Sequence, residues 1–119
     1  SNTTHISDEE AALGSTTSEA DSVTNTFDET NHPGFFVGST EIVTDTCYST
    51  RMYNSSGSKA SDDWYEVLLT DTDNKMVYTA IIENNVLGYD NRNHDFQMIV
   101  GENGDDQATS TYYFWVEIN

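Results

Sequence analysis

From Phe35 onward the chain is a succession of short runs rich in Val, Ile, Thr, Tyr and Phe, each cut off by a cluster of Asn, Asp, Gly or Ser. That pattern admits strands and turns, and no helical period survives beyond a single turn. It predicts six strands, at residues 35–44, 46–54, 63–71, 75–84, 95–101 and 109–118. Connections this short make consecutive strands pair antiparallel. A set of such strands must bury its apolar face by stacking or closing. The expected fold is therefore all-β, a small antiparallel β-sandwich or partly open barrel of about six strands.

Alternation sorts the side chains of each run onto two faces. In the last run Tyr112, Phe114, Val116 and Ile118 share one face, and Tyr113, Trp115 and Glu117 the other. Aromatic rings on both faces fit a central strand covered on both sides. If one face is instead open, Tyr113 and Trp115 form a stripe for contact with a sugar or a protein, and Trp64 at the head of the third run poses the same question. These three are the candidate binding residues.

Residues 1–33 read differently. The first 31 hold seven acids and neither Lys nor Arg, and their large apolar residues are Ile6, Leu13, Val23 and Phe27. So little apolar surface does not offset the entropy of ordering by itself, and the segment is expected to be an acidic extended arm ahead of a β domain at 34–119. Those four residues would anchor the arm to whatever it docks on. Ser7-Asp8-Glu9-Glu10 followed by Ala11-Ala12-Leu13-Gly14 predicts one capped helical turn ending at Gly14. His5 and His32 are expected to be solvated.

The stretch Leu69–Val77, LTDTDNKMV, tests for calcium. Counted from Asp71, an EF-hand loop would need an oxygen ligand where Lys75 stands, Gly where Met76 stands and Glu where Ile82 stands. Asp71-Thr72-Asp73-Asn74 is instead a hairpin turn, since Asp and Asn accept left-handed backbone and bond their own chain. What is left for metal is a weak calcium site converging from loops, with Asp90, Asp95, Asp105 and Asp106 as candidates.

Three histidines at positions 5, 32 and 94 offer no zinc spacing, and no nucleophile elbow, phosphate loop or dinucleotide fingerprint is present. No cofactor is expected, and the chain reads as non-enzymatic. Cys47 is the single cysteine and fits a half-buried strand position. Asn2-Thr3-Thr4 and Asn54-Ser55-Ser56 match the glycosylation acceptor pattern. Charge excludes more than motifs do. With 21 acids against 4 Lys and Arg the net charge is −17, which repels nucleic acid and anionic membrane surfaces alike. No membrane insertion is expected either.

The lone cysteine followed by alternating strands and the Asn91-Arg92-Asn93 turn resembles the secreted acidic lipocalin-like binders of blood-feeding arthropods. That resemblance implies an eight-stranded barrel with disulfides, from which a single cysteine and a shorter chain depart. Two functions follow from the residues. The first is a structural or interaction protein on an assembled surface, a virion decoration or an extracellular filament subunit. Its arm would dock it, and its partners would be copies of itself or a scaffold. The second is a secreted binding module, of β-sandwich or lipocalin-like type, for a small ligand, a glycan or a basic protein. Both put the chain outside the cell or on a particle surface.

The charge also generates a first test. Seventeen net charges on 13.3 kDa repel one another, and about 0.1 M salt screens them beyond roughly 10 Å. Melting temperature should rise from low to moderate sodium chloride, for the intact and the arm-deleted chain alike, and change little as pH falls toward 5. Scanning fluorimetry over a salt series measures it; a flat or falling trend would show the acids already paired.

Overall fold

A computed structural model describes residues 1–59, 62–99 and 111–118. It is β-rich with few helices, built of small antiparallel sheets, and no closed barrel forms among the described residues. Two helices come first, α1 (Thr3–Leu13) and α2 (Val23–Thr26). Seven short strands follow: β1 (Phe35–Val37), β2 (Thr40–Ile42), β3 (Ser49–Arg51), β4 (Tyr65–Thr70), β5 (Met76–Ala80), β6 (Val86–Leu87) and β7 (Asn93–His94). β3, β4 and β5 form one sheet in that order, while β1–β2 and β6–β7 are separate hairpins.

Turn chemistry sets the strand ends. The Asp71 loop is a hairpin turn as the sequence predicts. Its carboxylate accepts the Asp73 and Lys75 amides at 2.9 and 2.8 Å, and Asn74 takes φ 61°. The expected strand at 35–44 folds back on itself as β1–β2, because Gly38 adopts φ 59° at the first position of a two-residue turn. Residues 96–99 and 111–118 form no strand, against expectation; position 100 and positions 101–110 lie outside the described residues. Alternation alone makes no strand where no neighbour supplies hydrogen bonds.

The largest correction concerns the N-terminal segment. It is helical, not extended, and Ile6, Val23 and Phe27 pack with Leu68 of β4 into the core cluster. The core thus crosses the expected boundary at residue 33. α1 runs a full turn further back than the predicted cap, because Asn2 caps it and accepts the His5 amide at 3.0 Å. It ends at Gly14 as expected, with φ 70°. Four residues after Ile6 on the same helix face stands Glu10, 5% exposed. Its carboxylate accepts the Thr24 amide at 2.7 Å and the Ser15 hydroxyl, tying α1 to α2. Burial acts against this charge, yet the hydrogen bonds from Ser15 and Thr24 prevail and hold its pKa below the ordinary value. Leu13, the fourth expected anchor, is 60% exposed.

His32 is also buried rather than solvated. Its Nε2 accepts the Thr46 and Cys47 amides at 3.2 and 3.0 Å, so Nδ1 carries the proton and donates to the Pro33 carbonyl at 2.8 Å. The neutral ring thereby fixes the chain on both sides of β1–β2. Glu29 pairs with Arg51 through two bonds of 2.9 and 3.1 Å, and its backbone exchanges hydrogen bonds with Ser49. The segment before β1 therefore runs along the outer edge of β3.

Removing residues 1–31 would strip three of the four cluster residues, so the arm-deleted chain should fail to hold the β3–β5 sheet and, against the expectation from sequence, the salt series then applies to the intact chain alone. A finer test compares two single changes. Glu10→Ala orphans a buried amide and should cost about 2 kcal/mol. Leu13→Ala should stay within about 0.5 kcal/mol, as surface changes do. Chemical denaturation of both variants checks this; equal effects would mean that α1 is not docked through Glu10.

Candidate functional site

The residues singled out from sequence separate into three places. Trp64 is fully buried at the head of β4, its indole N–H donating to the Leu87 carbonyl at 3.0 Å. It is a core residue that fastens β6 to the central sheet. Tyr113 and Trp115 are 81% and 91% exposed, far from the covered central strand their run predicts. Ile6, Val23 and Phe27 serve the chain's own core. Asn2 and Asn54 both act locally, the first as a helix cap, the second accepting the Ser56 and Ser58 amides at 3.0 and 3.1 Å.

Of the calcium candidates, Asp90 and Asp95 are engaged by hydrogen bonds within their own chain. Asp90 accepts the Arg92 amide at 3.1 Å and meets His94 Nε2 at 2.8 Å, and the bond from His94 holds its pKa below the ordinary value. Asp95 accepts the Asn85 amide at 3.0 Å. Asp105 and Asp106 lie outside the described residues. Among the described residues no group of three or more His, Cys, Asp or Glu is gathered, and no helix is long and apolar enough to cross a membrane.

One groove of 220 Å³ opens beside the β6–β7 hairpin, lined by Met52, Tyr53, Tyr89, His94 and the segment Phe96–Ile99. Gln97 braces it, its side-chain oxygen accepting the Tyr89 amide at 2.9 Å. Gly88 is required here, because a Cβ would fall 2.6 Å from the His94 ring. The groove is smaller than the roughly 300–1,000 Å³ typical of small-molecule sites.

Beside the groove lies a residue that sequence reading missed. Glu66 in the middle of β4 is 1% exposed and among the described residues faces no cation; its carboxylate accepts the Ile99 amide at 2.7 Å. Burial pushes its pKa up to about 7, against which that hydrogen bond acts. By alternation it shares a face with Leu68, and neighbouring Tyr78 is likewise pushed up by burial and by Glu9, whose carboxylate it contacts at 2.9 Å. The sequence signal was available: Glu66 is the one acid inside the WYEVLL run.

Among the described residues the most exposed apolar surface is the run 111–118. Phe114, Val116 and Ile118 are exposed along with Tyr113 and Trp115, and none of the run 111–118 is buried. Glu117 touches the body by accepting the Gly38 amide at 2.7 Å. Single exposed apolar residues are ordinary, whereas a contiguous apolar run marks a contact surface. No protein-family model, curated protein or solved structure matches the chain.

Glu66 makes stability depend on pH near neutrality, against the flat response expected from surface carboxylates. A carboxyl whose pKa is raised by folding binds its proton more tightly in the folded state. Its contribution is complete below the unfolded value of about 4.5 and is lost as pH rises through about 7, an effect on the order of 3 kcal/mol. The protein should melt higher at pH 5.5 than at pH 8, and Glu66→Gln should remove most of that difference. A pH-independent wild type, or an unchanged slope in the variant, would show Glu66 ionised in the fold.

Proposed function

We propose that this is a non-enzymatic structural and interaction protein, a β-rich unit carried on an assembled surface such as a virion or an extracellular filament, with copies of itself as partners. The observation that carries the reading is the apolar run Tyr113–Ile118, strand-forming in composition and exposed along its length. Docking passes from the N-terminal segment to this run, since the N-terminal anchors Ile6, Val23 and Phe27 are consumed by the protein's own core. The acidic surface suits an outer face, where mutual repulsion limits contact to chosen places.

A secreted binding module is the second reading, and the groove beside Tyr53, Tyr89 and Phe96 favours it. Its small volume suits a side chain or a sugar ring better than a drug-sized ligand.

The two tryptophans report on the first reading separately. In Trp64→Phe the remaining Trp115 should be readily quenched by acrylamide in dilute solution and become protected as protein concentration rises in moderate salt. In Trp115→Phe the buried Trp64 should stay protected throughout. A Trp115 that remains fully quenchable at high concentration, with constant light scattering, would overturn self-association.

A further inference from the structure

The backbone of β5 has a free edge. Within the hairpin, Asp71 N–H bonds Lys75 O at 2.9 Å and Ile81 N–H bonds Tyr65 O at 3.1 Å. These two bonds fix the phase of the ladder, so residues 75, 77, 79 and 81 turn their backbone groups toward β4. The N–H and C=O groups of Met76, Tyr78 and Ala80 therefore point outward, and among the described residues no hydrogen bond reaches them. Such an edge is a template for another strand.

Charge says which strand. The chain holds 21 acids, yet Lys75–Ile82 contains none and Thr111–Ile118 contains Glu117 alone. The free edge and the exposed apolar run are thus two stretches that escape the self-repulsion of a −17 protein. They are also complementary: among the described residues Lys75 enters no ion pair, while Arg51 and Lys59 are already paired with acids.

We infer that the run Thr111–Ile118 of one copy adds antiparallel to the outer edge of β5 in a second copy. This deepens, and rests on, the self-associating reading above. One register satisfies charge and face together. It sets Glu117 opposite Lys75, Val116 opposite Met76, Trp115 opposite Val77 and Phe114 opposite Tyr78. Opposite charges then face across the pair, and aromatic and branched side chains meet on both faces, the contacts that stabilise sheets. A slip by one residue would reverse every side chain and part the charges. Glu117 gives up the Gly38 amide in exchange. Donor and acceptor are different surfaces of the same chain, so the contact is head-to-tail and propagates unless the rotation closes a ring. Moderate salt favours it by screening the acids elsewhere.

Complementation tests this. Ala80→Pro removes an outward N–H and blocks the edge; Val77→Glu blocks it without touching the backbone, by setting an acid beside the incoming strand. Val116→Pro blocks the donated strand. Light scattering and sedimentation in moderate salt should show concentration-dependent oligomers for the wild type. Each variant alone should associate roughly tenfold more weakly or worse while melting as a folded protein. Mixing Val116→Pro with either edge variant should restore one working contact and give a one-to-one dimer that grows no further. If the wild type assembles and all three variants assemble equally well, or the mixture gives no dimer, the strand–edge contact is wrong and the interface lies elsewhere. If the wild type itself stays monomeric at high concentration in salt, the self-association reading falls with it.

Discussion

Packing of Ile6, Val23 and Phe27 against Leu68 is the interaction on which the rest depends. With 35% apolar residues, the chain cannot fill a core from its strands alone. The three-stranded sheet is small, and a sheet of this size needs a covering layer to persist. The helices supply that layer, and Glu10 locks it by capping α2 from α1. A buried carboxylate is tolerable there because backbone and hydroxyl donors replace the water it loses. Other segments are secured differently, by the His32 ring, the Glu29–Arg51 pair and the Trp64 indole, each joining parts that are distant in sequence.

What could be read from the residues was what short-range chemistry decides. The Asp71–Lys75 turn, the stop at Gly14 and the antiparallel β4–β5 hairpin depend on a few neighbouring residues and were legible. The N-terminal segment was not, because its sparse apolar residues gain their value only against Leu68, far along the chain. Asn2-Thr3-Thr4 matched a glycosylation pattern while also serving as a helix start. The run 109–118 had every local property of a strand, and the described part forms none, since pairing is a property of two segments. Gly38 offered the missed signal for the extra hairpin, as a glycine inside a strand pattern marks a bend.

Two buried carboxyls with opposite tendencies sit in this one small protein. Glu10 on α1 is held charged by hydrogen bonds from Ser15, Thr24 and Val23, whereas Glu66 accepts one amide and among the described residues meets no cation, so burial dominates. Glu66 is the more deeply packed of the two and is also supplied with fewer donors, and both differences push its pKa the same way. Glu66 consequently favours the fold when protonated and Glu10 when ionised. Their windows are separate: Glu66 loses its contribution as pH climbs through about 7, and Glu10 loses its own only below the ordinary carboxylate range. Ionisation of Glu66 also bears directly on the Ile99 amide, and so on the segment that walls the groove.

High negative charge is usually read as a solubility device, but here it also acts as a filter on contacts. Any two copies approaching at random bring acid against acid, which costs most where charges are desolvated. A contact that limits this must use surface poor in carboxylates. The edge of β5 and the aromatic run near the C-terminal end of the described chain meet that requirement, and each offers what the other lacks: unpaired backbone on a rigid sheet, and an extended apolar segment without a sheet. Specificity then arises more from what the remaining surface forbids than from the strength of the permitted contact.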